Sequence, residues 1–416
     1  MIPTGDAAPP AIRLLLACGR DPAADAGGGP DGGAGGLLAA AAAAVADWDA
    51  ALALAAEHGL LPLLARRLDP LRGSLHPAVA GRLRRTSLAA AAKGQLLLGE
   101  TARLAGLFAA QGVTALPWKG VLLAEQAHGD IALRDPSDLD FLVARRDAPR
   151  ACALLEADGF RPLSPLGAAE MRACLATFPA LSFLHPGRDL VVDLTWGFFK
   201  PWIRHRFSPE ALLLAARPAT IAGARLLSLP AEELLVALCL HASKHRWARL
   251  VWPCDIAGFA RRHPQIDWER VLLLSRRGGV LRATLASLAV ADRLFAAGLP
   301  ATVARAVAAD RGAAGLARAG VARHLAGNGA PGGGGAAPET RRRRAIAGIR
   351  HELRAMDRPT DRLRLLARWV TATNPNDWAW VRLPEPLFPL YALLRPVRLL
   401  VQNLGAHRRH PSPPRR

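Results

Sequence analysis

Paired cysteines are missing from this sequence, although it contains five cysteines. They stand far apart along the chain, and no two of them form a Cys-x-x-Cys pair. Structural zinc sites and disulfide frameworks both need cysteines at characteristic spacings, so neither is expected here. The N-terminus also lacks the basic and then apolar segments of a secretory signal. These absences predict a protein of the reducing cytoplasm.

Lysine is scarce, so arginine carries the charge. Against 54 basic residues in total and a formal net charge of +20, the lysines are Lys93, Lys119, Lys200 and Lys244. Aromatic residues are also few, and no segment interleaves them with basic residues as nucleic-acid-binding surfaces do. The positive charge predicts attraction to nucleotides, phosphates or anionic surfaces, and no specific nucleic-acid partner.

Apolar runs long enough to cross a bilayer are missing as well. Residues 37–45 are too few and too rich in alanine. The stretch from Leu387 to Leu404 is strongly apolar, but it is interrupted by Pro389, Arg395, Pro396 and Arg398. A transmembrane span is therefore not expected. A weak contact of this stretch with a membrane surface or a partner protein stays open.

What the sequence does contain is a series of helical stretches around one mixed segment. Apolar residues three and four positions apart predict helices on both sides of it, and inside it short strands, helices and a hairpin alternate. The pattern predicts an α+β fold, a small mixed β-sheet core flanked by N-terminal and C-terminal helical regions. The predicted divisions are a short helix and flexible linker (1–36), an N-terminal helical region (37–112), the core (113–228), a helical domain (229–325), a Gly/Arg-rich linker (326–344), a C-terminal helical segment (345–405) and a disordered basic tail (406–416).

Two carboxylates stand near the start of the predicted strand at residues 139–143. Asp138 and Asp140 are two positions apart, so their side chains point to the same face of the strand. Two like charges side by side cost energy unless a cation lies between them, and Mg²⁺ prefers carboxylate oxygens. The pair alone leaves two interpretations open, a metal site and a solvated strand end.

A third acid, Asp193, lies inside an otherwise apolar strand of the predicted hairpin. A buried carboxylate is costly unless it is paired or bound to a metal. If this strand lies beside that of Asp140, three carboxylates converge on a site for one or two Mg²⁺ ions, which can hold a triphosphate and polarise the attacked phosphorus. Taken alone, Asp193 is also explained by a hydrogen bond or an ion pair within the sheet.

Basic residues precede these acids in the chain. Lys119-Gly120 follows the first predicted strand and opens a helix, a position where backbone N–H groups and the helix dipole favour phosphate. Arg134 stands four residues before Asp138. It is expected either to bind phosphate in a bidentate manner or to balance the charge of the acids.

A histidine pair follows in the helical region, where His241 and His245 lie four residues apart and share a helix face. A zinc-protease motif needs Glu after the first histidine, and Ala242 stands there, so zinc is not predicted. Lys244 and His245 are candidate contacts for phosphate or acceptor. The alternative is that they pair with Asp255 and cap the helical region.

Together these motifs resemble a known family. Lys119-Gly120, Arg134, Asp-Leu-Asp-Phe-Leu-Val at 138–143 and Val-Asp-Leu-Thr-Trp at 192–196 resemble the uncharacterised bacterial nucleotidyltransferase family of the DNA polymerase β-like superfamily. The superfamily pattern is a glycine turn after the first strand, a DxD-type pair on the second and a third acid on a later strand. The likeness spans residues 40–325, including 241–247 and 250–256. The chain departs from the pattern in having Lys-Gly for Gly-Ser or Gly-Gly, and a longer gap to the acid pair.

The resemblance implies an enzyme that depends on Mg²⁺, with Mn²⁺ as an alternative. It would transfer a nucleoside monophosphate from an NTP, ATP first among them, to a small-molecule, peptide or protein acceptor and release pyrophosphate. The implied catalytic metal ligands are Asp138, Asp140 and Asp193, of which the last also helps to deprotonate an acceptor hydroxyl. The implied nucleotide contacts are Lys119, Gly120 and Arg134, to which the candidates Lys244 and His245 are added.

A rival interpretation is a non-catalytic nucleotide-binding or regulatory protein that retains the same fold. Such a protein would dock to a membrane assembly through the stretch from Leu387 to Leu404. The presence of all three acids favours the enzyme.

Overall fold

The computed structural model describes residues 8–20, 34–164, 167–198, 207–326, 338–371 and 375–407. Three predicted segments fall largely outside these ranges. They are residues 21–33 of the N-terminal linker, 327–337 of the Gly/Arg-rich linker and 408–416 of the basic tail. The predicted domain boundaries therefore stay predictions.

Helices fill the N-terminal region, as the spacing of apolar residues predicts. The third helix begins after Asp47, whose side chain accepts a hydrogen bond from the backbone N–H of Ala50. The longest helix begins at Pro77, because a proline in the first turn needs no N–H partner. The helices are α1 (Pro10–Gly19), α2 (Ala34–Ala43), α3 (Trp48–Glu57), α4 (Leu61–Arg67) and α5 (Pro77–Ala110).

A five-stranded mixed sheet follows, and it confirms the predicted α+β class. The spatial order of the strands is β1-β2-β5-β4-β3, with β2 and β5 parallel and the other pairs antiparallel. The strands are β1 (Ala115–Pro117), β2 (Leu139–Val143), β3 (Arg161–Pro162), β4 (Ala180–His185) and β5 (Leu190–Thr195). The helices between them are α6 (Gly120–His128), α7 (Ala148–Ala157) and α8 (Ala168–Thr177).

The two central strands differ in burial. All five residues of β2 are buried, and Phe141 packs edge-on against Phe108 of α5 with ring centroids 5.6 Å apart. In β5 burial alternates, with Val192 and Leu194 in the core and the side chain of Asp193 on the other face. That second face of β5 is open enough to carry a polar group.

A short hairpin and seven helices form the next described part of the chain. The hairpin was not predicted from the sequence, because its signal is one Ala222-Gly223 turn in which both residues have positive φ. Helix α13 lies in the middle of the apolar core of this region. The elements are α9 (Pro209–Ala215), β6 (Arg217–Ile221), β7 (Ala224–Ser228), α10 (Ala231–Lys244), α11 (Val251–Arg262), α12 (Trp268–Gly278), α13 (Leu281–Phe295), α14 (Ala301–Ala309) and α15 (Arg311–Leu325).

The C-terminal part is helical too, with α16 (Pro338–Ala355), α17 (Pro359–Thr371), α18 (Pro375–Trp380) and α19 (Tyr391–His407). Helix α19 turns Arg395 and Arg398 inward, where both donate to the buried carboxylate of Asp377. Leu393 and Val397 remain exposed on its outer side. Among the described helices, none is long and apolar enough to cross a membrane. The predicted surface or partner contact of this stretch stays a prediction.

Two buried histidines lie in contact between α3 and α15. Their lowered pKa values predict that the free energy of unfolding falls in acid. His58 and His324 are 0% exposed, their ring centroids lie 5.6 Å apart, and His58 Nδ1 accepts a hydrogen bond from the backbone N–H of Leu250. Burial lowers the pKa of each ring to about 4. Because the unfolded chain binds these protons near pH 6.5 and the folded chain only near pH 4, stability is lost as the pH falls through that window.

The test is urea unfolding at pH 7 and pH 5 of the wild type and of His58→Gln, which keeps an acceptor for Leu250. The wild type should lose about 2 kcal/mol more unfolding free energy between the two pH values than the variant does. Equal losses in the two proteins would show that His58 does not titrate in this way.

Candidate functional site

Three carboxylates meet where β2 and β5 run side by side. The parallel register pairs Asp140 with Asp193, and Asp138 stands just before β2 on the same side. One ligand oxygen from each acid can be chosen so that all lie within 4.8 Å of one another. Residues 53 positions apart thus form one cluster, as the sequence predicts on the condition that the strands are neighbours.

A lysine compensates part of this negative charge. Lys119 Nζ lies 2.5 Å from Asp140 Oδ1, and both side chains are almost fully buried. The ammonium also lies 4.8 Å from the ring centroid of Trp118, a cation–π contact. The backbone N–H of Trp118 donates to the carbonyl of Asp140, which fastens the end of β1 to β2. Lys119 is therefore held beside the acids by its own strand.

Lys119 does not fully offset the effects that raise the pKa values of the acids. Burial raises the pKa of Asp140 to about 6, although Lys119 lowers it, and the charge of Asp138 raises it further. Burial also raises the pKa of Asp193, while a 2.5 Å hydrogen bond from Ser182 Oγ opposes the rise. A group of three close oxygen donors with excess negative charge suits a hard divalent cation such as Mg²⁺ or Mn²⁺.

Glycine at position 120 is required by the backbone. Its φ is +61°, a conformation that residues with a side chain rarely adopt. A Cβ atom there would lie 3.6 Å from the carbonyl oxygen of Asp138. The turn therefore brings the N-terminus of α6 close to the start of β2. A second glycine, Gly258 of α11, allows α11 to pack closely against α6, because a Cβ at that position would lie 2.6 Å from the carbonyl oxygen of Ala127.

Arg134 is fixed by an acid that lies outside the cluster. Its Nε donates to Asp255 Oδ2 at 3.0 Å, and the other carboxylate oxygen of Asp255 lies 2.9 Å from His128 Nε2. The sequence offered Asp255 as a partner of Lys244 and His245, and the structure shows it bound to His128 and Arg134. Arg134 nevertheless borders a cavity beside Asp138, with its orientation set by this ion pair.

The two neighbouring histidines are electrically neutral at pH 7. The rings of His241 and His245 lie 4.7 Å apart, and both contact Trp252. Removal from water lowers the pKa of His241 well below its usual value, and it lowers the pKa of His245 to about 4. His245 can therefore offer a substrate a neutral hydrogen bond and no positive charge.

Two cavities border the acids. The smaller has a volume of about 170 Å³ and is bordered by Arg134, Asp138 and Arg249. The larger has a volume of about 370 Å³ and is bordered by apolar side chains and by Lys244. Five residues border both cavities, namely Lys119, Asp140, Asp193, His241 and His245.

Two sets of lining residues were missed by the sequence analysis. Arg249 faces the smaller cavity, with its Nε bonded to the carbonyl oxygen of Glu57 at 3.0 Å. A lone arginine in an arginine-rich chain gives no signal. His351, Glu352 and Asp361 face the larger cavity from the C-terminal helices. They lie more than 150 residues from Asp193 in the chain, and only the tertiary fold brings them near it.

The family model of the uncharacterised nucleotidyltransferases matches residues 44–296. The chain belongs to this family. This nucleotidyltransferase is thus a transferase of phosphorus-containing groups, and the predicted family and enzyme class are confirmed. The matched range contains all three acids, Lys119-Gly120 and the histidine pair.

Other comparisons add little to the assignment of this nucleotidyltransferase. None of the curated proteins matches it. One solved structure that matches is the solution structure of the antibiotic-resistance factor ANT(2'')-Ia, with 13% sequence identity. The alignment covers 45% of the present chain and 91% of the ANT(2'')-Ia chain. The TM-score is 0.30, and at that value the likeness supports no conclusion about the present site.

Proposed function

We propose that this nucleotidyltransferase uses Mg²⁺, or Mn²⁺ in its place, to transfer a nucleoside monophosphate from an NTP to an acceptor, with release of pyrophosphate. The observation that carries the proposal is the convergence of Asp138, Asp140 and Asp193 within 4.8 Å, between a cavity with basic residues and a more apolar one. ATP is the first NTP to test.

The three carboxylates would hold the metal, and they fit it in ligand type and spacing. A divalent metal bound there supplies positive charge that offsets the triphosphate and polarises the phosphorus under attack. Burial and the neighbouring charge of Asp138 raise the pKa of Asp140 to about 6, and a bound cation would favour the ionised carboxylate against both effects.

The smaller cavity suits the phosphates of the nucleotide. Arg134 and Arg249 supply fixed positive charge on its wall, and Lys119 supplies a third cation at its border with the acids. Gly120 starts α6 beside it, so the first backbone N–H groups of that helix lie near the cavity. These groups bind and orient the triphosphate in the proposal.

Asp193 is placed to receive a proton from the acceptor. Its carboxylate borders both cavities, and Ser182 fixes its orientation. A raised pKa makes the carboxylate a stronger base than an ordinary aspartate. In the transfer the acceptor oxygen bonds to the α-phosphorus, the bond from that phosphorus to the β-phosphate oxygen breaks, pyrophosphate leaves, and the hydroxyl proton passes to Asp193.

Thermal unfolding with each of the four NTPs tests the proposal without knowledge of the acceptor. At least one NTP should stabilise the protein in Mg²⁺, by about 2.7 kcal/mol at a concentration one hundred times its Kd. The same NTP with EDTA should give much less stabilisation. If no NTP raises the unfolding temperature in either Mg²⁺ or Mn²⁺, the proposed function is wrong.

A further inference from the structure

The C-terminal helices build part of the wall of the larger cavity. Ala355 at the end of α16, Met356 directly after it, and Leu365 of α17 border the cavity. All three residues lie beyond residue 296, where the family match ends. This part of the chain therefore completes the cavity with side chains that the matched range does not contain.

This wall is fastened to the rest of the protein by specific bonds. The two carboxylate oxygens of Asp357 accept from the backbone N–H groups of Leu281 and Arg282, at 2.8 and 2.9 Å, at the start of α13. His351 Nε2 lies 3.4 Å from Ser243 Oγ of α10. Such bonds hold α16 and the turn before α17 in a defined position over the cavity.

The two cavities differ in their charged side chains. The smaller cavity is bordered by Arg134, Arg249 and Lys119, whereas the described residues that border the larger one include Lys119 and Lys244 but no arginine. Glu352 and Asp361 line the larger cavity on the C-terminal side, where Asp361 is paired with Arg364 at 3.0 Å. Its remaining wall is mainly apolar, with Trp118, Phe198, Leu240, Val280, Ala283 and Met356.

The volume of the larger cavity suits a small molecule. About 370 Å³ falls within the range in which proteins bind ligands of drug-like size. An apolar body is favoured there because it leaves water for an apolar wall. Since Asp193 borders both cavities, a hydroxyl group on a ligand in the larger cavity could reach the Asp193 carboxylate.

We infer that the larger cavity is the acceptor site, and that the acceptor has an apolar or aromatic body and a hydroxyl group that is directed to the acids. The C-terminal helices α16 and α17 select this acceptor by forming part of the cavity wall. This inference rests on the proposed function, because it assigns the second substrate of the same reaction.

Binding of the neutral naphthalene dye prodan tests the apolar character of the cavity. Prodan fluorescence should report binding to the wild type with equal affinity in the presence and absence of the stabilising NTP with Mg²⁺. Ala355→Trp fills the cavity from α16 and should weaken the affinity for prodan at least tenfold. Ala347→Trp, on the same helix but exposed and away from the cavity, should leave it within twofold. If Ala355→Trp does not unfold cooperatively, the smaller Ala355→Leu replaces it.

Transfer to two simple alcohols tests the acceptor class. With the stabilising NTP and Mg²⁺, mass spectrometry should show the nucleotidyl adduct of 2-phenylethanol forming at least tenfold faster than that of glycerol. Ala355→Trp should remove this preference. Displacement of prodan by the NTP, unchanged prodan affinity in Ala355→Trp, absence of prodan binding, or no faster labelling of 2-phenylethanol would each overturn the inference.

Failure of the proposed function has a different signature. It appears as an absence of Mg²⁺-dependent stabilisation of the wild type by every NTP, which is measured without dye or alcohol. Stabilisation by an NTP together with negative dye and alcohol results would refute the acceptor assignment alone.

Discussion

Asp140→Asn is expected to abolish the Mg²⁺-dependent stabilisation of this nucleotidyltransferase by its NTP. Asparagine has nearly the same shape but lacks the charge, and the carboxylate it replaces is one of the three acids of the cluster. The stabilisation of about 2.7 kcal/mol expected at one hundred times the Kd should fall close to zero. Nucleotidyl transfer to an acceptor should fall on the order of 10³-fold, since metal binding supplies several kcal/mol of charge stabilisation in such reactions.

The matched control is Asp135→Asn. Asp135 borders the same smaller cavity, but its side chain is half exposed and pairs with Lys93 at 2.5 Å, away from the three acids. The control should keep NTP stabilisation within about 0.5 kcal/mol of the wild type, as surface substitutions usually do. Comparable losses in both variants would mean that general negative charge, and no specific metal site, supports nucleotide binding. Far-ultraviolet circular dichroism of both variants shows whether the fold is kept.

Asp255→Ala is expected to lower the free energy of unfolding by about 3 kcal/mol or more. Asp255 is 2% exposed and accepts hydrogen bonds from both Arg134 and His128. Removing one partner of a buried ion pair leaves the other charge uncompensated, which costs more than the pair itself contributes. Urea unfolding at pH 7 measures the loss. Arg134 should also lose its fixed orientation, so the NTP should bind more weakly to the variant.

A double-mutant cycle separates the pair from its surroundings. Arg134→Met removes the charge that Asp255→Ala would leave unpaired. The double variant should therefore be less destabilised than the sum of the two single variants, by at least about 1 kcal/mol. Additive losses, or a loss below 1 kcal/mol in Asp255→Ala alone, would show that the ion pair does not hold this part of the structure together.

The acids could be predicted from the sequence because their signal is local. Asp138 and Asp140 share a face through the two-residue period of a strand, and Asp193 is conspicuous as a charge inside an apolar run. The predicted bounds of β2, residues 139–143, agree with the structure. That the two strands lie side by side was a condition of the prediction, since a period of two does not identify the neighbouring strand.

The electrostatics around the acids could not be predicted in this way. The sequence suggested that Arg134 binds phosphate or balances the acids, whereas the structure adds a buried ion pair with Asp255, which lies 121 positions away. The histidine pair is another example. The sequence shows the spacing of His241 and His245, but it does not show the burial that lowers their pKa values. Charge state depends on burial, and burial depends on the whole fold.

The parallel pairing of Asp140 with Asp193 has a consequence for recognising related chains. A slip of one residue between β2 and β5 would turn Asp193 into the core and bring Val192 or Leu194 to the open face. By contrast, insertions in the loops between the two strands leave the pairing unchanged, since loops accept changes of length. A sequence search that fixes the number of residues between the second and third acids would therefore overlook relatives with the same site. A search that requires an acid at the alternating position of an apolar strand, at any distance, would retain them.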